Sequence, residues 1–134
     1  MASDLSKYLG NKVVRWFGGQ AMPTAPAALY LALFNGDPKA SGSEVTTSIR
    51  TGGRVGITLG SVPASGTVNT MTNTADSDFG ASVSVSKVTV NYVAVMDAQS
   101  GGNILASKAV TSVDIDEGEL VKALAGDLTF TFGS

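Results

Sequence analysis

The chain has 134 residues, a length typical of a single domain, and a chain of this size can bury a core without disulfides or structural metals. It contains no cysteine and no histidine, which excludes a disulfide framework, a thiolate or imidazole metal site and the most common general base. The formal net charge is -2 and charged residues make up only 15% of the chain, so we expect no nucleic-acid partner. No apolar run approaches the roughly 18 residues of a transmembrane helix, and the polar start lacks the features of a secretory signal. We therefore expect no membrane partner, and either synthesis in a cytoplasm or a signal that has been removed.

The first predicted element is a helix over residues 3–17. Its apolar residues recur at spacings of three and four, which gives one apolar stripe made of Leu5, Tyr8, Leu9, Val13, Trp16 and Phe17. Ser3 or Asp4 is the predicted N-cap, and Gly18-Gly19 ends the helix. The stripe has two interpretations: the helix covers the sheet of its own chain, or it is an arm that docks on a neighbouring subunit. We expect Tyr8, Trp16 and Tyr30 to pack in the core, with a sugar-stacking platform as the alternative.

A proline-bearing linker over residues 18–26 leads to a predicted strand at 27–34 that is apolar on both faces. One face carries Leu29, Leu31 and Leu33, while the other carries alanines and aromatics. A second long segment, residues 88–96, has the same two-sided character in its second half. The two are therefore predicted to be central, neighbouring strands. Both faces need cover, and we expect the helix on one side of the first strand and a second sheet on the other.

The rest of the chain reads as short strands separated by glycine-rich turns. Predicted strands lie at 54–59, 67–72, 104–110 and 128–132, with a hairpin loop at 97–102 and a loop at 73–80. The apolar parity changes near Ser86-Lys87, which predicts a bulge or a bend there. This pattern predicts a mainly β protein, a β-sandwich or jelly-roll-like domain over 27–133 with one N-terminal α-helix, in a single domain over 1–134.

The polar segment from Asp37 to Arg54 is the predicted partner-binding region. A loop of this length is commonly functional or simply solvated, and both interpretations remain open. Alternation with Val55 predicts that Arg54 faces outward. The residues predicted to contact a partner are Lys39, Glu44, Arg50 and Arg54.

No group of residues in the sequence forms a convincing catalytic or metal site. The acidic run 114–119 does not fit a calcium loop, because glycine and glutamate stand at the wrong positions, although Asp114 and Asp116 leave a loose cation site open. Asp76 and Asp78 are a carboxylate pair with no supporting residues for glycoside hydrolysis. The sequence therefore predicts a protein that is not an enzyme and that has no cofactor and no metal.

Several segments, in their order and spacing, resemble a family of small tailed-bacteriophage virion proteins that includes capsid cement (decoration) proteins and tail-fibre-type proteins. The resemblance spans nearly the whole chain. It is carried by the segments LSKYLGNK (5–12), WFGG (16–19), LYLALF (29–34), VAVMDA (93–98), GGNIL (101–105) and AGDL (125–128).

The resemblance implies a non-enzymatic β-sandwich that assembles as a homotrimer on a virion. It implies a cement protein on the outer surface of the capsid, made in the host cytoplasm, whose partner is the phage major capsid protein. The alternative that it implies is a tail-fibre or tail-associated protein that binds a receptor or a glycan. No residue-level function carries over, because the family has no catalytic motif to match.

Overall fold

The computed structural model describes residues 4–62 and 70–132. It is mainly β, with antiparallel sheets and one principal N-terminal helix, which confirms the predicted fold class. No helix in these two ranges is long and apolar enough to cross a membrane. The elements in chain order are α1 (Lys7–Phe17), β1 (Tyr30–Asn35), β2 (Ser43–Glu44), α2 (Thr46–Ile49), β3 (Val55–Gly56), β4 (Thr70–Thr72), β5 (Ser77–Ala81), β6 (Val88–Met96), β7 (Ile104–Ile115), β8 (Leu120–Ala123) and β9 (Thr129–Thr131).

The main sheet has the strand order β2-β1-β6-β7, and β3 also pairs with β1. β1 and β6 are antiparallel neighbours, with Tyr30 opposite Met96 and Phe34 opposite Tyr92. This confirms the prediction that the two segments apolar on both faces are adjacent central strands. β6 continues through the predicted hairpin loop into β7, which is one twelve-residue strand.

The hydrophobic core lies on the leucine face of β1. Leu31 and Leu33 pack there with Val93 and Val95 of β6. The opposing layer consists of two small sheets, β4–β9 and β5–β8, which contribute Phe130 and Phe79 to the same core. The second layer therefore covers the leucine face of β1, and a second sheet on one side of this strand was predicted.

The alanine face of β1 has its own small cluster, formed by Ala32, Phe34, Ala94 and Met96. Among the described residues, the hydrophobic side chains packed around this cluster are Tyr30, Tyr92 and Ile104, which all belong to the sheet itself. The expected cover by the helix is therefore not what the structure has. The two alanines are small enough for the flanking large side chains to close over them.

The helix begins four residues later than predicted, at Lys7. Ser6 is its N-cap, and its Oγ accepts a hydrogen bond from Leu9 N at 3.0 Å. The preceding residues extend the sheet instead: Leu5 bridges Ala106 on β7. Asp4, one of the two predicted caps, holds Thr131 through its carboxylate, and Ser3 lies outside the described residues.

The region between β3 and β6 differs most from the sequence prediction. The predicted loop 73–80 contains β5, whose Phe79 is buried in the core. The bend predicted near Ser86-Lys87 is present, and Val83 and Val85 just before it lie in an irregular segment and are 53% and 84% exposed. The predicted strand 54–59 is shortened to the two residues of β3. The predicted strand 67–72 appears as β4 at its C-terminal end, and its first three residues lie outside the described ranges.

Candidate interaction surfaces

A long exposed, mostly apolar segment is formed by the second half of α1 together with the linker that follows it. Every residue from 14 to 28 is exposed. We call these fifteen residues the exposed arm. They include Trp16 and Phe17, which are 57% and 79% exposed, and carry one charged residue, Arg15. An apolar surface of this extent, with so little charge, is typical of a site that another protein covers.

The shape of the exposed arm follows from how α1 is anchored. The helix is half-buried at Tyr8 and Leu9, beside the start of β7, and is exposed from Val14 onward. At its end the rings of Trp16 and Phe17 lie 5.5 Å apart at an interplanar angle of 56°. The expectation that Trp16 packs in the core is therefore wrong, because the anchored part of the helix stops one turn before it.

A second apolar surface is an open cleft of about 520 Å³ between β7 and the small β5–β8 sheet. We call it the edge cleft. Its floor is made of core side chains such as Leu33 and Val93, and its walls include Val110, Val113 and Val121. The pairing of the N-terminal segment with β7 is confined to residues 105–107, so the outer edge of the rest of β7 has no strand partner among the described residues. Such an open strand edge is a ready docking place for another chain.

Two of the four predicted partner-binding residues form a clamp inside the protein. The Arg54 guanidinium donates to both carboxylate oxygens of Glu44, at 2.9 and 2.8 Å. Its remaining terminal nitrogen donates to the carbonyl oxygens of Ala98 and Gly101, at 2.9 and 2.7 Å. Arg54 is only 8% exposed. The prediction that its side chain faces outward is wrong, because the planar fork of donors lets a buried guanidinium make four hydrogen bonds to one carboxylate and two loop carbonyls.

The clamp also sets the ionisation of Glu44. Partial burial raises the pKa of the Glu44 carboxyl, but the hydrogen bonds from Arg54 and Thr46 and the charge of Arg54 lower it. The lowering contributions are stronger, so the pKa lies below its ordinary value of about 4.5. Glu44 is therefore ionised at neutral pH and serves as the fixed acceptor of the clamp.

The other two predicted residues are not part of the clamp. Arg50 donates from Nη1 to the carbonyl oxygen of Gly53 at 3.0 Å, which closes its own turn. The backbone amide of Lys39 donates to Asp37 Oδ1 at 2.8 Å in the turn after β1. Partner contact stays a prediction for Lys39, Glu44, Arg50 and Arg54. The structure gives Arg54 an internal structural role.

The acidic residues that the sequence singled out have separate structural partners. Asp114 Oδ1 accepts from the hydroxyl of Thr89 at 2.6 Å, and Glu119 Oε1 accepts from the amide of Asp116 at 2.7 Å. Asp76 accepts from the amide of Ala125 and pairs with Lys122 at 3.4 Å. Within the described ranges, no group of three or more acidic side chains is placed to hold a metal ion.

The edge cleft is the feature that sequence reasoning missed. Its walls come from β7 and β8, which are adjacent in sequence but belong to different layers. Alternation along each strand identifies which side chains point inward. It does not reveal that the two layers separate along this edge. The exposed arm, by contrast, was one of the two interpretations that the apolar stripe allowed.

Comparison with known proteins gives one family. A family model described as "Podophage GP4 fiber I protein gp80" matches residues 4–131, which is nearly the whole chain. No curated protein matches the chain. The matched range includes α1, the exposed arm and every strand named above.

Proposed function

Since the chain belongs to the Podophage GP4 fiber I protein gp80 family and is a structural protein of a phage virion, we propose that it is a non-enzymatic fibre-type subunit that attaches to the particle as a homotrimer. The observation that carries this proposal is the exposed arm, a mostly apolar segment with a single charged residue on a packed β-body. A packed domain with one such apolar segment is suited to permanent attachment to another protein, because the apolar surface of the arm is removed from water only when that protein covers it.

The placement of the exposed aromatics favours attachment to protein over binding of a glycan. Sugar-binding sites present aromatic faces in a concave patch together with polar groups that fix orientation. Trp16 and Phe17 instead lie on the exposed C-terminal end of α1. This arrangement is typical of aromatic side chains that insert into a pocket of a partner protein.

The same observation supports a second candidate, a capsid cement protein on the outer surface of the head. In that function a trimer binds neighbouring copies of the major capsid protein, and many weak contacts are multiplied by the symmetry of the lattice. The residues predicted to contact a partner, Lys39, Glu44, Arg50 and Arg54, lie on or beside the segment between β1 and β3. Lys39 and Arg50 are the members of this set that remain the best candidates for such contact.

Labelling of purified phage particles with an antibody against this protein, viewed by electron microscopy, tests the proposal. We expect label confined to a fibre or tail appendage. Label spread over the whole head supports cement, and particles free of the protein overturn both functions. Particles that lack the protein give a second measurement: cement predicts earlier release of DNA on heating, whereas a fibre subunit predicts unchanged heat resistance.

A further inference from the structure

β1 ends at Asn35, which forms with Gly36 the single Asn-Gly dipeptide of the chain. Asparagine is a thermolabile residue, and a following glycine leaves its side chain open to attack by the next backbone nitrogen. In that reaction a bond forms from the glycine nitrogen to the side-chain carbonyl carbon, ammonia leaves and a succinimide ring results. Water then opens the ring, which leaves aspartate or isoaspartate. Asn35 is exposed, so water has access to this site.

The fold requires the glycine of this pair. Gly36 has a φ of +95°, a backbone conformation that favours glycine. The turn is also tight, since a Cβ atom on Gly36 would lie 3.0 Å from the Cα of Gly42, and one on Gly42 would lie 2.2 Å from the carbonyl oxygen of Gly36. A larger residue at position 36 is therefore excluded, and any protection of the Asn-Gly pair has to come from a neighbouring side chain.

The side chain of Asn91 contacts both groups that would react. Phe34 on β1 lies opposite Tyr92 on β6, so the antiparallel register brings Asn91 to the end of β1. The backbone nitrogen of Gly36, which would attack, donates a hydrogen bond to Asn91 Oδ1 at 2.6 Å. Asn91 Nδ2 donates to Asn35 Oδ1, an atom of the carboxamide that would be attacked, at 3.5 Å. The first contact is the shorter and therefore the stronger of the two.

The short hydrogen bond keeps the attacking nitrogen unreactive. The attack requires the Gly36 nitrogen to lose its proton, and a hydrogen bond donated by an N–H group favours the protonated, neutral form. Without the proton, the nitrogen would face the lone pairs of Asn91 Oδ1. We therefore propose that Asn91 protects the Asn35-Gly36 pair from deamidation, and that Asn35 is the residue modified when this protection is lost.

The modification would act on the segment that follows β1. Asn35 pairs with Ser43, and Phe34 pairs with Glu44, so the reacting residue lies inside the pairing of β1 with β2. Isoaspartate adds one carbon atom to the main chain at this point, whereas aspartate adds only a negative charge. The isoaspartate product should therefore loosen β2 and with it Glu44, the acceptor of the Arg54 clamp.

The rate of deamidation at Asn35 tests the proposal. Wild-type protein and Asn91→Ala are incubated at mildly alkaline pH, and the peptide that contains Asn35 is followed by mass spectrometry for the exchange of an amino group for a hydroxyl group. We expect Asn91→Ala to react roughly two- to tenfold faster, the factor that corresponds to the loss of one hydrogen bond. Equal rates in the two proteins would overturn the proposal.

A conservative variant separates the Asn91 oxygen from the stability of the fold. Asn91→Asp keeps an acceptor for the Gly36 amide, so it should react no faster than the wild type. Thr72→Val removes the hydrogen bond of 2.7 Å between the hydroxyls of Thr72 and Thr129 in the opposing layer, and it should react at the wild-type rate. If either variant reacts as fast as Asn91→Ala, the proposal is wrong.

The wild-type chain in concentrated denaturant gives a reference that needs no substitution. Unfolding breaks the contact between Gly36 and Asn91, so the native protein should react more slowly at Asn35 than the unfolded chain at the same pH. A native rate equal to or above the unfolded rate would contradict protection, whether or not the Asn91→Ala variant folds.

Discussion

At the scale of single residues, the side chain of Thr46 takes the place of a strand residue in the hydrogen bonding of the main sheet. On the edge of β1 opposite β6, the pairing strands are β2 and β3, and α2 lies between them in the chain. The amide of Leu33 therefore has no strand residue to bond to on that edge. Thr46 is completely buried, and its Oγ1 accepts a hydrogen bond from Leu33 N at 2.9 Å while its hydroxyl reaches Glu44 Oε2 at 2.8 Å. One side chain therefore satisfies an amide that a strand residue would otherwise satisfy.

Removal of the Thr46 hydroxyl should destabilise the fold. Thr46→Val keeps the shape of the side chain but leaves the Leu33 amide without a partner, which we expect to cost about 1–3 kcal/mol of unfolding free energy. Thr46→Ser keeps the hydroxyl and loses one methyl group, which we expect to cost about 1 kcal/mol. Denaturant unfolding of the two variants decides between hydrogen bonding and packing. A larger loss for serine than for valine would show that the methyl group matters more.

Residue roles that depend on distant partners were the least predictable from the sequence. Arg54 alternates with the apolar residues of β3 and therefore reads as outward-facing. Its partners include the carbonyls of Ala98 and Gly101, which lie 44 and 47 residues further along the chain. No local pattern encodes a contact of that separation, and a buried arginine is uncommon unless it is paired.

At the scale of elements, the Arg54–Glu44 clamp holds the β6–β7 hairpin loop against the edge of the main sheet. Gln99 strengthens the same junction by donating to the carbonyl oxygen of Gly52 at 2.6 Å. Because the clamp keeps the pKa of Glu44 below its ordinary value, its contribution to stability is complete above about pH 4.5. That contribution is lost as the pH falls through the pKa of the folded state, since protonation removes the charge that Arg54 requires.

This gives a pH prediction that one variant isolates. Glu44→Gln should be less stable than the wild type at pH 7, and the difference should shrink steadily as the pH falls below about 4.5. The pKa of Asp76 is also lowered, mainly by the hydrogen bond from the Ala125 amide and then by Lys122, so both proteins lose stability in acid for that reason. Only the difference between their unfolding midpoints reports on Glu44. A difference that stays constant from pH 7 to pH 3 would show that the clamp does not depend on its charge.

The position of a strand in the sheet was predictable where apolar residues on both of its faces required cover on both sides. β1 and β6 have apolar residues on both faces, and the sequence therefore placed them at the centre as neighbours. The start of α1 was not predictable in the same way, because Leu5 fits the apolar period of the helix and also fits the edge of the sheet. The bridge from Leu5 to Ala106 and the N-cap formed by Ser6 show that Leu5 belongs to the edge of the sheet and that the helix begins after it. The exposed arm was ambiguous for a related reason: an apolar stripe looks the same whether its own chain or another chain covers it.

At the scale of the whole molecule, we expect the main sheet to be more stable than the opposing layer. β1 and β6 lie at the centre of that sheet, with Leu31, Ala32 and Ala94 completely buried. The opposing layer is divided into two separate pairs of short strands, β4–β9 and β5–β8, and the edge cleft separates part of it from β7. Elements with fewer buried contacts open at lower free-energy cost than the core does.

Native-state hydrogen exchange should reveal this division. We expect the amides of β1 and β6 to exchange only through global unfolding, and the amides of β4 and β9 to exchange through smaller openings at a lower free energy. Added denaturant should accelerate exchange strongly in the first group and weakly in the second, because global unfolding exposes more surface than a local opening does. Equal free energies in the two groups would show that both layers unfold together as one cooperative unit.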